Sequence, residues 1–275
     1  MKKSLRYASL AFAVMGFTAA VASAQKSPDN LMQCRDSWGN DRLQNHCEIK
    51  EQTLAAGGTI NVDGRENGGI SIRGWDRNDV LIRAKIQTQA PTQAEADQLA
   101  REVRIETAGG IRAEGPAWRE DYGWGVSYEI FVPHRSDLSL QAHNGGISIV
   151  EVSGRIDFRT LNGGVSLKRI GGTVRGSTTN GGVHVELAGS RWDGEELNVT
   201  TTNGGVNLLM PNNYSAHLET GTVNGNINSD YPLNVPLNER GRLPKDINVD
   251  LGSGGAKIHA TTTNGGVHVS KSAGE

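Results

Sequence analysis

Only two cysteines and eight prolines occur in this chain of 275 residues, and aromatic residues make up 5% of it. Each shortage excludes something. Two cysteines leave no Cys-x-x-Cys and no second thiol pair, which argues against metal or redox chemistry even though His46 adjoins Cys47. With so few rings, a core must be filled by Val, Ile and Leu. Charge of one sign is lacking as well: 28 Lys and Arg stand against 30 Asp and Glu, without a basic run, which does not suit a nucleic-acid binder. Beyond the N-terminus no stretch reaches about 18 apolar residues, so no transmembrane segment is expected.

The N-terminus itself reads as a secretory signal peptide. Lys2, Lys3 and Arg6 precede an apolar run from Leu10 to Val21, and Ala22-Ser23-Ala24 supplies small residues for cleavage before Gln25. Removing residues 1–24 takes away three positive charges and no negative one, moving the formal net charge from −2 to −5. In an exported chain, Cys34 and Cys47 are expected to pair. Their disulfide would tether a polar segment, 25–54, ahead of the main domain. Periplasmic residence is expected, with an extracellular location as the other outcome.

Glycine is what the chain has in excess, with 36 of them. Asparagine followed by two glycines occurs at Asn67, Asn144, Asn162, Asn180, Asn203 and Asn264, with a variant at Asn224-Gly225-Asn226. Spacings near 20 residues mark a repeat architecture. After each glycine pair comes an apolar, polar, apolar triplet such as Val165-Ser166-Leu167, the signature of a strand with one buried face. A second glycine about ten residues later opens another alternation, so each unit is turn, strand, turn, strand. Thr-rich approaches such as Thr261-Thr262-Thr263 favour the pleated surface. With few prolines, the asparagine and first glycine of each turn are expected to supply positive φ, and the second glycine close approach between layers.

An all-β fold follows, and a β-solenoid of stacked two-strand coils with Asn-Gly-Gly corners is expected over an antiparallel meander or sandwich. Recurring words would stack Asn on Asn and Val on Val in about ten coils. One short helix is expected after Pro91. Thr92 and Glu95 stand at capping-box spacing, and Ala96, Leu99, Ala100 and Val103 share a face. The domains read as a signal peptide 1–24, a tethered segment 25–54, one β-repeat domain 55–270 and a tail 271–275. The insert 190–196 and the Asn224 unit should make irregular coils. The ends need caps, for which the disulfide segment and the residues around Trp118 are candidates.

The stretch Gly58 to Asp63, Asn67-Gly68-Gly69-Ile70-Ser71-Ile72-Arg73-Gly74-Trp75-Asp76, Val80-Leu81-Ile82 and Tyr128 to Pro133, followed by the train of Asn-Gly-Gly units, resembles a known pattern. It is similar to the bacterial putative-adhesin family of β-strand repeats, also called toast-rack domains, over roughly residues 55–270. That resemblance implies an exported all-β repeat domain of the cell envelope, of unknown function, without catalytic residues to carry over.

Chemistry is sparse. The histidines do not fall at metal spacing, and His-Glu-x-x-His and Gly-x-Ser-x-Gly are absent. His184 and His268 share one polar slot of the repeat, but Asn207 and Asn228 are expected to separate them by several coils. Each Asn-Gly-Gly opens a strand and not a helix, so a phosphate cradle is not expected. No paired acid recurs at a fixed position for general acid and base work. The local anomaly is aromatic: Trp118, Tyr122, Trp124, Tyr128 and Phe131 crowd into 14 residues. Tyr128 belongs to a strand face, whereas Trp118, Tyr122 and Trp124 lie among Pro116, Gly123 and Gly125, where rings could cap the core or stack on a ligand. The expected function is a non-enzymatic structural or interaction module, adhesin-like, with no cofactor. A glycan or peptidoglycan binder using the aromatic loop is the alternative, and a β-helix lyase or hydrolase the third reading. An envelope protein or glycan is the expected partner.

Overall fold

The computed structural model describes residues 32–34 and 42–272. The expected signal peptide and the last three residues of the expected tail lie outside the described residues, as does most of the segment leading to Arg42. Twenty strands and one helix are found among the described residues. The first part holds β1 (Gln44–Ala55), β2 (Ile60–Asp63), β3 (Ile70–Trp75), β4 (Asp79–Ala90), α1 (Gln93–Glu102), β5 (Arg104–Glu106), β6 (Ile111–Glu114) and β7 (Gly123–Pro133). A regular run follows: β8 (Leu138–Ala142), β9 (Ile147–Val150), β10 (Ser153–Asn162), β11 (Val165–Lys168), β12 (Gly171–Asn180), β13 (Val183–Glu186), β14 (Glu196–Asn203) and β15 (Val206–Met210). The last part holds β16 (Ala216–Asn224), β17 (Ile227–Ser229), β18 (Asp246–Leu251), β19 (Lys257–Asn264) and β20 (Val267–Lys271).

Two ten-stranded sheets face each other, and the chain alternates between them. In each coil a strand of one sheet runs into an asparagine corner, a strand of the other sheet follows, and a second corner leads back. Neighbouring coils pair in parallel and in strict register, for example Val165 with Ile147 on one side and Val183 on the other. The expected solenoid-like stack is present. Inward positions form rows of aliphatic side chains such as Ile149, Leu167, Val185, Leu208 and Val269, each at 0% exposure. Burial of these rows is the main source of cohesion.

The order of the stack departs from the chain order. The parallel coils run β6/β7, β2/β3, β8/β9, β10/β11, β12/β13, β14/β15, β19/β20 and β16/β17, eight rather than about ten, with antiparallel strands completing both sheets. The C-terminal coil therefore inserts between two coils that are consecutive in sequence. At the other end β2/β3 sits inside β6/β7 in the same way. Matching words explain the C-terminal insertion. Thr200, Thr201 and Asn203 lie directly beside Thr261, Thr262 and Asn264. The coil with the incomplete corner, Asn224-Gly225-Asn226, is displaced to the edge. One consequence corrects the expectation for the histidines: His184 and His268 are separated by Asn207 alone, and Asn228 lies beyond His268.

The roles expected for the corner residues are also overturned. Asn203 and Gly204 do not adopt the left-handed region. Left-handed conformations occur instead at the second corner, as at Glu151 (58°), Arg169 (49°) and Gly172 (95°). The first glycine of each pair is the one that packing requires: a Cβ on Gly145, Gly163, Gly181 or Gly204 would strike the carbonyl oxygen of the neighbouring coil's first glycine. The second glycine is less crowded: a Cβ on Gly164 would lie 3.6 Å from Gly182 O and on Gly182 3.4 Å from Gly205 O, tightening to 3.0 Å for Gly146 against Gly164 O and 3.2 Å for Gly205 against Gly266 O. Buried threonines complete this row. Thr178, Thr201 and Thr262 each donate a hydroxyl at 2.7 Å to the first-glycine carbonyl of the adjoining coil.

Helix α1 joins β4 of one sheet to β5 of the other, so it closes the end where those strands lie. Its capping box is formed: Thr92 Oγ1 accepts from Glu95 N at 3.3 Å, and Glu95 Oε2 accepts from Thr92 N at 3.1 Å. Ala96, Leu99, Ala100 and Val103 are buried. At the opposite end β18 pairs antiparallel with β16, and the hydroxyl oxygen of buried Tyr231 accepts from Tyr214 N–H at 3.0 Å. In the insert, Trp192 is buried and donates its indole N–H to Gly172 O at 2.9 Å.

Cys34 and Cys47 form a disulfide, which ties residue 34 to β1 at the sheet edge. No thiol should titrate in the denatured, unreduced protein, and two should after reduction. In the chain-entropy picture, closing a loop of this size contributes about 3 kcal/mol. Thermal unfolding with and without reductant checks this, and an unchanged midpoint would contradict it.

Candidate functional site

Corners stack as closely as strands do. Each corner asparagine donates its amide N–H to the side-chain oxygen of the next: Asn224 to Asn264, Asn264 to Asn203, Asn203 to Asn180, Asn180 to Asn162 and Asn162 to Asn144, all at 2.7–2.8 Å. Asn144 closes the series on Asn67 Oδ1 at 3.3 Å. The ladder has a direction, because every amide points its N–H the same way. Asn67 is the last member, and its own Nδ2 donates to no partner among the described residues.

The coil beyond Asn67 is β6/β7, and its corner is built differently. Where the other coils carry Asn-Gly-Gly or its Asn-Gly-Asn variant, residues 115–122 loop out between β6 and β7 and bring Trp118 and Tyr122, with Trp124 following at the start of β7. Trp118 is 84% exposed, more than any other large hydrophobic residue among those described. Trp124 is half-buried against the core, with its indole N–H donated to Pro116 O at 3.0 Å and its ring over Gly115, where a Cβ would strike it at 2.8 Å. Tyr122 is clasped on two sides. Its hydroxyl donates to Glu95 on α1, and the Arg119 guanidinium lies 3.4 Å from the ring centroid.

The loop and the Asn67 corner enclose a cleft of about 680 Å³. It is lined by Trp118, Tyr122 and Trp124 on one side and by Arg65, Glu66 and Asn67 on the other, with Glu114 and Gln89 also contributing. Arg65 is fixed by ion pairing with Glu114 and by an Nε–H bond to Ala113 O at 3.4 Å. A volume of this size falls in the range of ligand pockets, and its mixture of rings, carboxylates and amides suits a polar ligand with flat apolar faces. A second, shallower depression of about 1030 Å³ crosses the outer face of the other corner strands, over the second glycines and the slot holding Ser148, Ser166, His184, Asn207 and His268. In that slot, burial and then the nearby Lys168 charge push the His184 imidazole pKa down.

Among the described residues no group of three or more His, Cys, Asp or Glu side chains could hold a metal ion. Sequence reading reached the three rings by their crowding but not Asn67, Arg65, Glu95 or Glu114 as their neighbours. Nothing local in the sequence shows that residues 111–133 pack outside residues 60–75.

The Tyr122 clasp has a pH window. The Tyr122 hydroxyl, then Thr92, holds the Glu95 carboxyl below its ordinary value, and Glu95 in turn raises the Tyr122 phenol. A lowered acid contributes above its ordinary pKa and is lost as pH falls through its folded value. A raised phenol contributes below its ordinary pKa, about 10, and is lost as pH rises through its folded value. The near-ultraviolet circular dichroism of the loop should therefore be constant between about pH 5.5 and 9 and change on both sides. A change centred near neutrality would contradict the clasp.

Residues 40–270 match the family described as Toastrack DUF4097. No curated protein matches the chain. Among solved structures, it is similar to a putative cell adhesion protein from Clostridium sporogenes, at 11% identity and a TM-score of 0.42, covering 83% of this chain and 100% of that one. It is also similar to a putative adhesin from Bacteroides fragilis, at 8% identity and a TM-score of 0.37, covering 82% and 97%. A third is a putative lipid binding protein from Parabacteroides distasonis, at 9% identity and a TM-score of 0.32, with the same coverage. No helix among the described residues is long and apolar enough to cross a membrane.

Proposed function

The chain belongs to the Toastrack DUF4097 family, and on that footing we propose that it is a non-enzymatic, adhesin-like interaction module of the cell envelope. Its signal peptide is cut after Ala24, and the mature protein works in the periplasm as a tethered segment, 25–54, followed by one β-repeat domain, 55–270. The carrying observation is how the repeated polar groups are used. Corner asparagines and buried threonines bond to neighbouring coils, so the polar chemistry that recurs is structural. What departs from the repeat is the corner of β6/β7, which exposes Trp118 beside a cleft.

That departure favours a second reading within the first: the aromatic loop is the contact surface, and the ligand is an envelope glycan. A pyranose ring has one apolar face that stacks on an indole and hydroxyls that hydrogen-bond to carboxylates and amides. Purified mature protein should be retained by isolated cell-wall polysaccharide, and Trp118→Ala should lose that retention while unfolding at the same temperature, since the ring is exposed. Equal retention of both proteins would remove the loop from the account, and turnover of the polysaccharide would sink the non-enzymatic reading. Export is tested by sequencing the N-terminus of the protein recovered from the periplasmic fraction, which should begin at Gln25.

A further inference from the structure

Asn67 is the last asparagine of a ladder in which each amide N–H is received by the amide oxygen of the next coil. Along the row the receiving group is always a carboxamide C=O set at the spacing of one coil, about 4.8 Å. At Asn67 that place falls in the cleft, because the outermost coil supplies the aromatic loop in place of an asparagine corner. The N–H groups of Asn67 are thus presented where six other rungs show the geometry of an amide partner.

We propose that the cleft binds an N-acetylated amino sugar, with its acetamido oxygen accepting from Asn67 Nδ2 as the missing rung of the ladder. This rests on the glycan reading given above and names the sugar class. The acetamido group is a secondary amide with the same carbonyl acceptor that asparagine offers. The pyranose ring to which it is attached supplies an apolar face for the exposed Trp118 indole and the edge of Trp124. Its hydroxyls donate to Glu66 or Glu114, both of which line the same cleft. A simple hexose presents a hydroxyl where the acetamido group would stand and cannot place a carbonyl oxygen on Asn67. A protein asparagine or glutamine would satisfy the amide but offers no ring for the indole, which is why a sugar is the occupant the cleft fits.

The loop is held ready for this. Tyr122 is bonded to Glu95 on the capped end of α1 and covered by Arg119, and Trp124 is bonded to Pro116 O, so two of the three rings are fixed by protein groups. Trp118 alone is left with a free face. A preformed wall of this kind lowers the ordering cost of binding.

The test is calorimetric titration of the mature, disulfide-bonded protein with the trimer of N-acetylglucosamine and with the corresponding trimer of glucose. The acetylated trimer should bind about fivefold more tightly than the glucose trimer, the usual worth of one well-formed neutral hydrogen bond. Asn67→Asp keeps an oxygen to accept from Asn144 but removes the N–H donors, and it should bring the acetylated trimer down to the glucose value. Asn67→Ala, which removes the donors and adds no charge beside Glu66, should do the same. Both variants are checked by thermal unfolding. Trp118→Ala should weaken both sugars. If the two trimers bind alike and the Asn67 variants change neither, the amide assignment is overturned while the glycan reading stands. If neither trimer nor cell-wall polysaccharide binds, the glycan reading falls with it. Displacement of the acetylated trimer by N-acetylasparagine amide at equal or lower concentration overturns the sugar assignment in favour of a protein amide.

Discussion

Replacing Gly163 with alanine should cost about 3 kcal/mol, while the same replacement at the adjacent Gly164 should be nearly neutral. Both residues belong to one corner, and their sequence contexts are almost the same. A Cβ on Gly163 would strike the carbonyl carbon and oxygen of Gly145, which belong to backbone and cannot swing aside. On Gly164 it would meet only Gly182 O, at 3.6 Å, an ordinary contact. Asn226, which stands at the second-glycine position of the incomplete corner, shows that a side chain is accommodated there. For a domain of this size the first substitution should lower Tm by roughly 6–12 °C. Equal midpoints for the two variants would mean that corner backbones are not in contact and that the stack is wrong. Gly204→Val should fail in the same way, because its Cβ would strike Gly181.

Truncating Phe158 to alanine should cost about 3–5 kcal/mol, and the effect of changing its neighbour Gly176 should depend on it. Phe158 is one of the few rings inside the stack and is buried at 5% exposure. It pairs with Gly176 in the adjoining coil, and its ring occupies the space where a Gly176 side chain would be. One large residue thus fills two inward slots, and Gly176 is the compensation. Gly176→Ala should therefore destabilise the natural protein but stabilise a Phe158→Leu variant, where the same methyl group fills a void. A change of the same sign in both backgrounds, measured by thermal or denaturant unfolding, would contradict this packing.

Much of the architecture is legible in residues such as Val165-Ser166-Leu167 and Val183-His184-Val185. Alternation plus a glycine corner at a period near 20 leaves little besides short paired strands. The helix was equally readable, since Thr92 and Glu95 satisfy each other's backbone groups locally. Stack order was not. Whether Thr261 to Asn264 lies at the end of the stack beside the Asn224 unit alone, or between that unit and Thr200 to Asn203, is decided by long-range register, which local pattern does not encode. The corner glycines misled for a related reason. Asn-Gly suggests positive φ because isolated hairpins need it, whereas here a neighbouring backbone imposes the requirement on Gly163 and Gly204 from outside the segment.

The candidate site was half visible. Crowding of Trp118, Tyr122 and Trp124 set that loop apart, but the sequence left open whether these rings cap the core or face a ligand. The fold divides them: Trp124 packs on the core, Tyr122 is clasped by α1, and Trp118 stands free. Asn67 looked like any other corner. Only the placement of β6/β7 outside β2/β3 makes it the terminal rung and puts it opposite the rings.

The coils are ordered by matching corners and not by chain order, and an engineered cross-link tests that most directly. Asn207 and His268 occupy the same outward slot of adjacent strands, with Asn228 one strand further. Adjacent strands lie about 4.8 Å apart and alternate ones about 9.6 Å, inside and outside the span of a disulfide. With Asn207→Cys and His268→Cys together, oxidation should yield a bond between positions 207 and 268, identified by peptide mapping, alongside the native Cys34–Cys47 bond. With Asn207→Cys and Asn228→Cys no such bond should form. A ready 207–228 bond and an absent 207–268 bond would restore the stack to chain order and contradict the account.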